Sequence, residues 1–443
     1  MDGIARRARL ARSRLYFVVG RADEELLEAA LRGGVDVVQL RDKGLSDEEL
    51  VAAAQPFRRA CDRHGALFVL NDRPELVERC GADGVHVGQG DASVAEARRL
   101  VGAERIVGLS THSREQMQDA GDADYIGVGT IFATPTKPED DDVAGLELVR
   151  VARDVARLPW FAIGGIDRSN VAELVRAGAA GVAVVRAIRD AADPQAAARA
   201  LRAELPPTEA VVGDEDVLLP QIDWLHGSGG GAAPHVHAEH ADVFHVLEGT
   251  MEFRAGDGTV RLPPGSTLAA PPLLAHGFRL PAGDARYLNL HAPGGWARER
   301  GDTFGLERAD ARVRPAVSAP GDGDRLAAPH RLALVKVDLP ELALVESVVD
   351  DAFEGPELHL HLRHADCFHV LEGALEFSLG GRRGVRVEAG TSVVVPPGVA
   401  HTFGPAARRA RYLNAHAPSL GFVDYVRAAD RGEHLPFDQY AFR

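Results

Sequence analysis

Short apolar segments alternate with helical segments from residue 15 to about residue 205. The apolar runs are rich in β-branched residues and have no polar face, which is typical of strands buried on both sides of a parallel sheet. The segments between them space their apolar residues at helical intervals, and several end in glycine, a common helix terminator. The eight apolar runs lie at residues 15–19, 36–40, 67–71, 84–87, 106–109, 124–128, 160–163 and 181–185.

Eight strand–helix units in this length favour an α/β fold that closes as a (βα)8 barrel, the TIM-barrel fold. An open, doubly wound sheet is the alternative, and the number of strands favours closure.

The second half of the chain has a different pattern. After an acidic stretch with proline and glycine at 206–234, helical spacing nearly vanishes and short strands alternate with turn sequences, which predicts an all-β fold. This half repeats itself: PHVHAEHADVFHVLEG (234–249) matches ELHLHLRHADCFHVLEG (357–373). We therefore predict a barrel domain at 1–206 and two duplicated β domains at 207–324 and 325–443.

Composition restricts the partners. The net charge of -15 argues against nucleic acid or an anionic membrane, so an anion site must be a local pocket. Three scattered cysteines are too few for a disulfide framework and favour a reducing, cytoplasmic location. No apolar run reaches membrane-spanning length, and the N-terminus lacks the signal-peptide pattern. We expect small-molecule substrates, and a homo-oligomer stays open.

Polar residues follow the predicted barrel strands at their carboxyl ends, where barrel enzymes place their active sites. Arg41, Lys43 and Lys137 can bind phosphate oxygens through charge-assisted hydrogen bonds. Asp72 and Asp91 follow adjacent strands, and such a pair of carboxylates suits Mg²⁺. No nucleophile paired with a histidine follows these strands, so the rim is predicted to assist the departure of a diphosphate.

Each of these residues also has an ordinary explanation. An exposed Arg or Lys is most often a solvated charge, and Asp72 suits the start of a following helix. We assign His64 and His86 to the structure rather than to the site. The shared position of the polar residues at one rim is what favours a site.

Seven motifs in the first half resemble, in order and spacing, those of the thiamine-phosphate synthase family. They are QLRDK (39–43), LND (70–72), GVHVGQGD (84–91), GLSTHS (108–113), GTIFATPTK (129–137), AIGGI (162–166) and GVAVVRAI (181–188). The resemblance implies that 4-amino-2-methyl-5-hydroxymethylpyrimidine diphosphate is coupled to 4-methyl-5-(2-phosphoethyl)thiazole with release of pyrophosphate. It implies a dissociative mechanism, in which Mg²⁺ and protein cations stabilise the departing pyrophosphate.

The resemblance also implies residue roles. Arg41, Lys43 and Lys137 are the expected catalytic residues, and Asp72 and Asp91 the expected Mg²⁺ ligands. The expected substrate-binding residues are Gln39, Leu40, Arg41, Asp42, Lys43, Asn71, Ser110, Thr134, Pro135, Thr136, Lys137, Gly164, Val184 and Val185.

Two features depart from the family pattern. Arg186 stands where a serine is common, and residues 139–142 form an acidic run that we expect to be a solvated loop. A thiazole tautomerase-like relative, which does not couple the rings, is the alternative within this fold. The complete carboxylate pair and diphosphate clamp favour coupling.

The β half carries a set of three histidines and one aspartate twice. A His-x-His pair directs both imidazoles to one face of a strand, and three imidazoles with one carboxylate suit Zn, Fe, Mn, Ni or Cu. The sets are His235, His237, Asp242 and His276, and His359, His361, Asp366 and His401. Their spacing resembles the cupin superfamily, which implies a tandem of double-stranded β-helix domains (a bicupin).

The resemblance to cupins is incomplete. Aspartate stands where glutamate is usual, and Leu273 replaces the glycine that the second repeat has at Gly398, so the second set is the better metal candidate. An empty histidine-lined barrel or a buried polar network is the alternative. The repeated Tyr-Leu-Asn-x-His sequence (287–291 and 412–416) is either a cavity lining or sheet packing.

Three functions stay open at this point. The first is a synthase with an appended regulatory or metal-binding module. The second is a metal-dependent cupin oxygenase or isomerase, and the third is a small-ligand sensor with a non-catalytic barrel. The cupin fold hosts many activities and does not choose between them.

Overall fold

The computed structural model describes residues 2–134, 143–255, 258–281, 285–299, 303–433 and 435–441. The chain divides into two compact units, Met1–Thr208 and Glu209–Arg443. Within the described ranges, no helix combines the length and apolar character needed to cross a membrane. The division of the second unit near residue 325 stays a prediction.

The first unit is a closed barrel of eight parallel strands, in which each strand pairs with the next and the last pairs with the first. This confirms the predicted (βα)8 barrel. The strands are β1 (Leu15–Val19), β2 (Val37–Leu40), β3 (Leu67–Asn71), β4 (Gly84–Val87), β5 (Ile106–Thr111), β6 (Tyr125–Val128), β7 (Trp160–Ile163) and β8 (Val182–Val184). The helices are α1 (Gly3–Arg12), α2 (Glu24–Arg32), α3 (Asp47–His64), α4 (Val77–Cys80), α5 (Val94–Val101), α6 (Arg114–Gln118), α7 (Gly145–Val155), α8 (Val171–Arg176), α9 (Arg186–Arg189) and α10 (Pro194–Glu204).

Side chains of the barrel strands alternate between two apolar cores. Val38 and Leu40 pack with the helices in the outer core, whereas Val37 lies in the barrel interior with Tyr16, Tyr125 and Phe161. Because the period of a strand is two residues, Gln39 faces the interior between them. The same alternation sets which residues at the strand ends reach the site.

The second unit is all-β, as predicted, and its described strands form four antiparallel sheets of six, five, seven and five strands. The strands are β9 (Val211–Gly213), β10 (Val217–Leu218), β11 (Asp223–Ser228), β12 (Gly231–His237), β13 (Ala241–Glu248), β14 (Met251–Ala255), β15 (Gly258–Leu262), β16 (Thr267–Ala270), β17 (His276–Arg279), β18 (Arg286–Ala292), β19 (Thr303–Phe304), β20 (Ala316–Ser318), β21 (Asp324–Ala328), β22 (Arg331–Asp338), β23 (Ala343–Asp350), β24 (His359–Leu360), β25 (Ala365–Glu372), β26 (Ala374–Leu379), β27 (Arg382–Glu388), β28 (Ser392–Val395), β29 (His401–Pro405), β30 (Arg409–Ala417) and β31 (Tyr440–Ala441). The helices are α11 (Trp296–Glu299) and α12 (Phe422–Asp430).

The two sequence repeats share one apolar core. Trp224 and Val243 from the first repeat are buried in the same cluster as Cys367 and Leu413 from the second. The six-stranded and seven-stranded sheets therefore pack against each other through this shared cluster, in addition to the separate apolar cluster inside each repeat.

Strand β9 joins the repeats in a second way. It precedes the first repeat in sequence, yet it pairs antiparallel with β28 of the second repeat, in the register Val211 with Val394 and Gly213 with Ser392. The corresponding strand β16 of the first repeat is paired instead by β20, which follows that repeat. The N-terminal strand of the second unit is thus the edge strand of the seven-stranded sheet, whose other strands come from the second repeat.

We expect a fragment 215–443, which lacks β9, to be less stable than a fragment 209–443. Losing the edge strand removes a few backbone hydrogen bonds of about 0.5–1.5 kcal/mol each, so the unfolding temperature should fall by several degrees. Thermal unfolding followed by circular dichroism measures the difference. A fragment 207–443 is the control and should match 209–443; equal unfolding temperatures for all three fragments would contradict the role of β9.

Candidate active site and metal centres

A cavity of about 490 Å³ lies at the carboxyl ends of the barrel strands. It brings together eight of the predicted substrate-binding residues, and Arg186 lines it too. These eight are Gln39, Arg41, Asn71, Ser110, Thr134, Gly164, Val184 and Val185.

Three other predicted residues that the structure describes do not line this cavity. Leu40 is fully buried in the outer core, and the Asp42 carboxylate accepts a hydrogen bond from the Gly44 amide at 3.2 Å. Lys43 is engaged with a carboxylate, described next. Pro135, Thr136, Lys137 and the acidic run at 139–142 lie outside the described residues.

The two aspartates predicted to hold Mg²⁺ are neighbours. Lys43 Nζ lies 2.8 Å from Asp72 Oδ2, and Asp91 Oδ2 accepts a hydrogen bond from the Gly88 amide at 3.0 Å. Burial raises the pKa of Asp72, the Lys43 ammonium lowers it, and the adjacent Asp91 carboxyl raises it again. The Asp91 carboxyl disfavours the charged form of Asp72, and a divalent cation bound by both carboxylates would counteract this repulsion, so these residues fit Mg²⁺.

Glycines at the far side of the cavity allow a close approach of two backbone segments. Gly164 and Gly165 both have positive φ angles, 110° and 62°. A Cβ atom on Gly164 would lie 2.6 Å from Thr130 Cγ2, and one on Gly165 would lie 2.6 Å from the Ala133 carbonyl oxygen. Any other residue here would displace the segment that carries Thr134.

His86 lies at the cavity, whereas the sequence pattern assigns it a purely structural role. It lines the cavity, and its Nε2 lies 2.9 Å from Ser110 Oγ. Strand alternation carries the signal that finds it: Val85 and Val87 are buried in the outer core, so His86 faces inward. Burial lowers the pKa of His86 to about 4, with the nearby Arg41 charge adding to the effect, so the imidazole is neutral at pH 7.

A chain of hydrogen bonds continues below His86. Its Nδ1 lies 3.0 Å from the Tyr125 hydroxyl, which lies 2.8 Å from the Tyr16 hydroxyl. Gln39 Nε2 donates to the Tyr16 hydroxyl at 2.9 Å. Gly108 makes room for the Tyr125 ring, since a Cβ there would be 2.2 Å from Tyr125 Cζ.

In the second β repeat, the predicted metal ligands converge. The side-chain donor atoms of the four residues lie within 4.8 Å of one another. His359 Nδ1 lies 2.7 Å from the Glu357 carbonyl, His361 Nδ1 2.5 Å from the Asp438 carbonyl and His401 Nδ1 3.0 Å from the Val399 carbonyl. Because each Nδ1–H donates to a carbonyl, each Nε2 is left as a lone-pair donor.

The charge state of this cluster suits a metal ion. Burial lowers the pKa of His359 to about 3 and that of His361 to about 4, so both are neutral. Burial by itself raises the pKa of Asp366, but the surrounding imidazoles hold it well below its usual range. Neutral imidazoles around a carboxylate form the donor set that divalent transition metals take.

The first repeat has the same four-residue cluster with one difference. His235 Nε2 and His237 Nε2 lie 3.1 Å apart, and His276 Nε2 lies 3.2 Å from Asp242 Oδ2. Among the described residues, however, His237 Nδ1 has no hydrogen-bond partner, whereas His361 Nδ1 is held by a carbonyl. The second cluster is therefore the better oriented of the two.

The repeated Tyr-Leu-Asn-x-His sequence supports both carboxylates from behind. Asn414 Nδ2 donates to Asp366 Oδ1 at 2.5 Å, and His416 Nε2 lies 3.1 Å from Asn414 Oδ1. Asn289 donates to Asp242 in the same way. In the second repeat a cavity of about 230 Å³ adjoins the cluster and is lined by Tyr412 and Asn414.

Leu273 adopts the backbone conformation of the glycine that it replaces. Its φ is 68°, close to the 83° of Gly398, and the two amides donate to equivalent carbonyls, those of His237 at 2.7 Å and His361 at 2.6 Å. The turn that fixes the second histidine of each pair is thus kept. A left-handed conformation destabilises a non-glycine residue by roughly 1–2 kcal/mol.

We expect Leu273→Gly to stabilise the protein by about 0.5–1 kcal/mol, because relief of the strained φ exceeds the added chain entropy of glycine. Leu273 is 36% exposed, so the loss of its remaining apolar burial offsets part of the relieved strain. The reciprocal Gly398→Ala should destabilise by about 1 kcal/mol. Urea unfolding of both variants tests this; a Leu273→Gly variant that is less stable than the unaltered protein would contradict it.

Comparison with known proteins agrees with both halves of the chain. The family model of thiamine monophosphate synthase matches residues 15–188, and the cupin domain model matches residues 225–291 and 348–414. The second unit is therefore a tandem of cupin domains.

Individual relatives match the barrel unit. The thiamine-phosphate synthase of Mycobacterium leprae is 45% identical over 221 residues, covering 45% of this chain and 94% of that protein. That of Thermosynechococcus vestitus is 47% identical over 201 residues, but this chain covers only 57% of it. The solved structure of thiamine phosphate pyrophosphorylase from Pyrococcus furiosus is 31% identical with a TM-score of 0.41, over 44% of this chain and 96% of that one. With the motifs collected at one cavity and a relative matched over nearly its whole length, the chain belongs, through its barrel, to the thiamine-phosphate synthase family.

Proposed function

We propose that the barrel unit couples 4-amino-2-methyl-5-hydroxymethylpyrimidine diphosphate to 4-methyl-5-(2-phosphoethyl)thiazole, giving thiamine phosphate and pyrophosphate. The observation that carries this proposal is one cavity in which Arg41, Gln39 and Ser110 lie together, with the Lys43–Asp72 pair and Asp91 at the neighbouring strand ends. Cations for a diphosphate and carboxylates for Mg²⁺ are what the reaction requires. A tautomerase has no need of the carboxylate pair.

The residues act on a leaving diphosphate. The bond between the pyrimidine methylene carbon and the diphosphate oxygen breaks, and its electron pair leaves with pyrophosphate. Arg41 and Lys43 bind the oxygens on which negative charge develops. Asp72 and Asp91 would hold Mg²⁺, which when bound neutralises further phosphate charge. Lys137 stays a predicted third cation.

The second bond forms without a protein nucleophile. The thiazole nitrogen supplies the electron pair to the methylene carbon, whose positive charge the aminopyrimidine ring stabilises. The predicted thiazole-phosphate end of the cavity holds Gly164, Val184 and Val185, and Arg186 adds a cation there. Arg186 therefore supports phosphate binding at the position where the family usually has serine.

For the second unit we propose a transition-metal site, with Zn, Fe, Mn or Ni at His359, His361, Asp366 and His401. The cavity beside this cluster supports binding of a small molecule at the metal, as a regulatory module or as a separate oxygenase or isomerase site. We propose a cytoplasmic location, which suits three free cysteines that are all buried.

We expect Asp72→Asn to lower the rate of pyrophosphate release by about 100-fold or more, because one Mg²⁺ ligand is lost. Release is measured with both substrates and Mg²⁺, and it should require all three. Asp62→Asn, at an exposed aspartate of α3 paired with Arg58, is the matched control and should keep full activity. No release from the unaltered protein, or full release from Asp72→Asn, would contradict the proposal.

We expect the double variant His359→Ala/His361→Ala to lose the metal that the protein holds most tightly. In the unaltered protein, backbone carbonyls orient the three histidines of this second site, so its Nε2 atoms are ready to bind a metal. The matched double variant His235→Ala/His237→Ala should lose only the weaker site. Metal content by mass spectrometry during stepwise addition of a chelator measures both. Equal retention of metal by the His359→Ala/His361→Ala variant and the unaltered protein would contradict this order.

A further inference from the structure

The hydrogen-bond chain beneath the barrel cavity runs without a break between two residues of the site. It leads from Gln39 through Tyr16, Tyr125 and His86 to Ser110, with successive distances of 2.9, 2.8, 3.0 and 2.9 Å. Tyr16 and Tyr125 are 2% and 1% exposed. Because these hydroxyls are shielded from water, their protons must be shared within the chain.

Each hydroxyl in the chain has a single proton, and this determines which group donates in each hydrogen bond. Tyr16 accepts from the Gln39 amide nitrogen, so its single proton goes to Tyr125. Tyr125 must then donate its own proton to His86 Nδ1, which leaves Nδ1 unprotonated and places the imidazole proton on Nε2. His86 Nε2 donates to Ser110 Oγ, and the Ser110 proton is left for a ligand in the cavity.

One glycine shows that the barrel interior makes room for this chain. Gly108 leaves the space that the Tyr125 ring occupies, since a Cβ there would be 2.2 Å from Tyr125 Cζ. Phe161 packs edge-on against both tyrosine rings, at centroid distances of 5.2 and 5.9 Å. Packing supports the ring positions, whereas the order of the hydrogen bonds is set by the donors and acceptors themselves.

We propose that His86 is a positioning residue that presets the hydrogen-bond pattern of the cavity, with the Ser110 hydroxyl as a donor and the Gln39 amide oxygen as an acceptor. A 4-aminopyrimidine edge is the complement of this pair, because it offers an amino donor beside an unprotonated ring nitrogen. A 4-oxopyrimidine offers a carbonyl acceptor beside a ring N–H, which is the reverse order. The chain thus selects the amino ring. This inference rests on the proposed function of the barrel.

The first test reads the proton position directly and does not depend on activity. In the full chain labelled with ¹⁵N-histidine, the His86 resonances, assigned by their loss in His86→Gln, should show the tautomer protonated on Nε2 at pH 7. Tyr125→Phe removes the donor to Nδ1 and should change that pattern. An Nδ1-protonated His86 in the unaltered protein would overturn the inference even if pyrophosphate release is observed.

The second test measures the selection. Calorimetric titration with the 4-aminopyrimidine diphosphate and its 4-oxo analogue, in the presence of Mg²⁺, should show a preference for the amino ring that falls about 10–100-fold in Tyr125→Phe. Phe161→Leu loses packing against the same rings but no hydrogen bond, and it should keep the preference. An unchanged preference in Tyr125→Phe, or equal binding of both rings to the unaltered protein, would overturn the role in recognition.

Discussion

A polar group buried away from water must be hydrogen-bonded, and this requirement orders both sites of the protein. In the barrel, Tyr16, Tyr125 and His86 lie in an apolar interior and hydrogen-bond to one another. His86 also hydrogen-bonds to Ser110, so this buried network extends to a side chain that lines the cavity. In the cupin tandem, Asp366 is buried among imidazoles and held from behind by Asn414. In each case a side chain of the site is held in place by a hydrogen bond from a buried neighbour.

The two cupin repeats satisfy the requirement to different degrees. The second repeat uses the end of the chain: the Asp438 carbonyl holds His361, and the Asp438 carboxylate lies 3.0 Å from His364 Nδ1. His364 in turn lies 2.9 Å from His416. In the first repeat the part of the chain that the structure describes offers His237 Nδ1 no such partner, and Leu273 keeps a glycine turn under strain. The second site therefore has the better preorganised donors.

Much of this architecture follows from local pattern. The apolar runs predict all eight barrel strands, and the repeated His-x-His motif predicts both clusters, because strand alternation and strand order act locally. Strand alternation also predicts two side-chain positions that motif matching missed. It places Leu40 in the outer core and directs His86 towards the cavity. The pairing of β9 with β28 could not be predicted from the sequence. A three-residue strand is too short to show an alternating pattern, and its partner lies about 180 residues away along the chain. The left-handed backbone conformation of Asp72, with φ of 59°, likewise has no local sequence signal. The residues that contact Asp72, His86 through its carbonyl and Lys43 through its ammonium group, are distant in sequence.

We propose that Lys43 and Asp72 exchange their present ion pair for contacts with diphosphate and Mg²⁺, with Asp91 as the second carboxylate ligand. A crystal structure of the full chain with Mg²⁺ and pyrophosphate tests it most directly. We predict one Mg²⁺ between the carboxylates of Asp72 and Asp91, with pyrophosphate oxygens on it and on Arg41 and Lys43. Pyrophosphate bound away from these residues, with the 2.8 Å pair of Lys43 and Asp72 intact, would contradict the account.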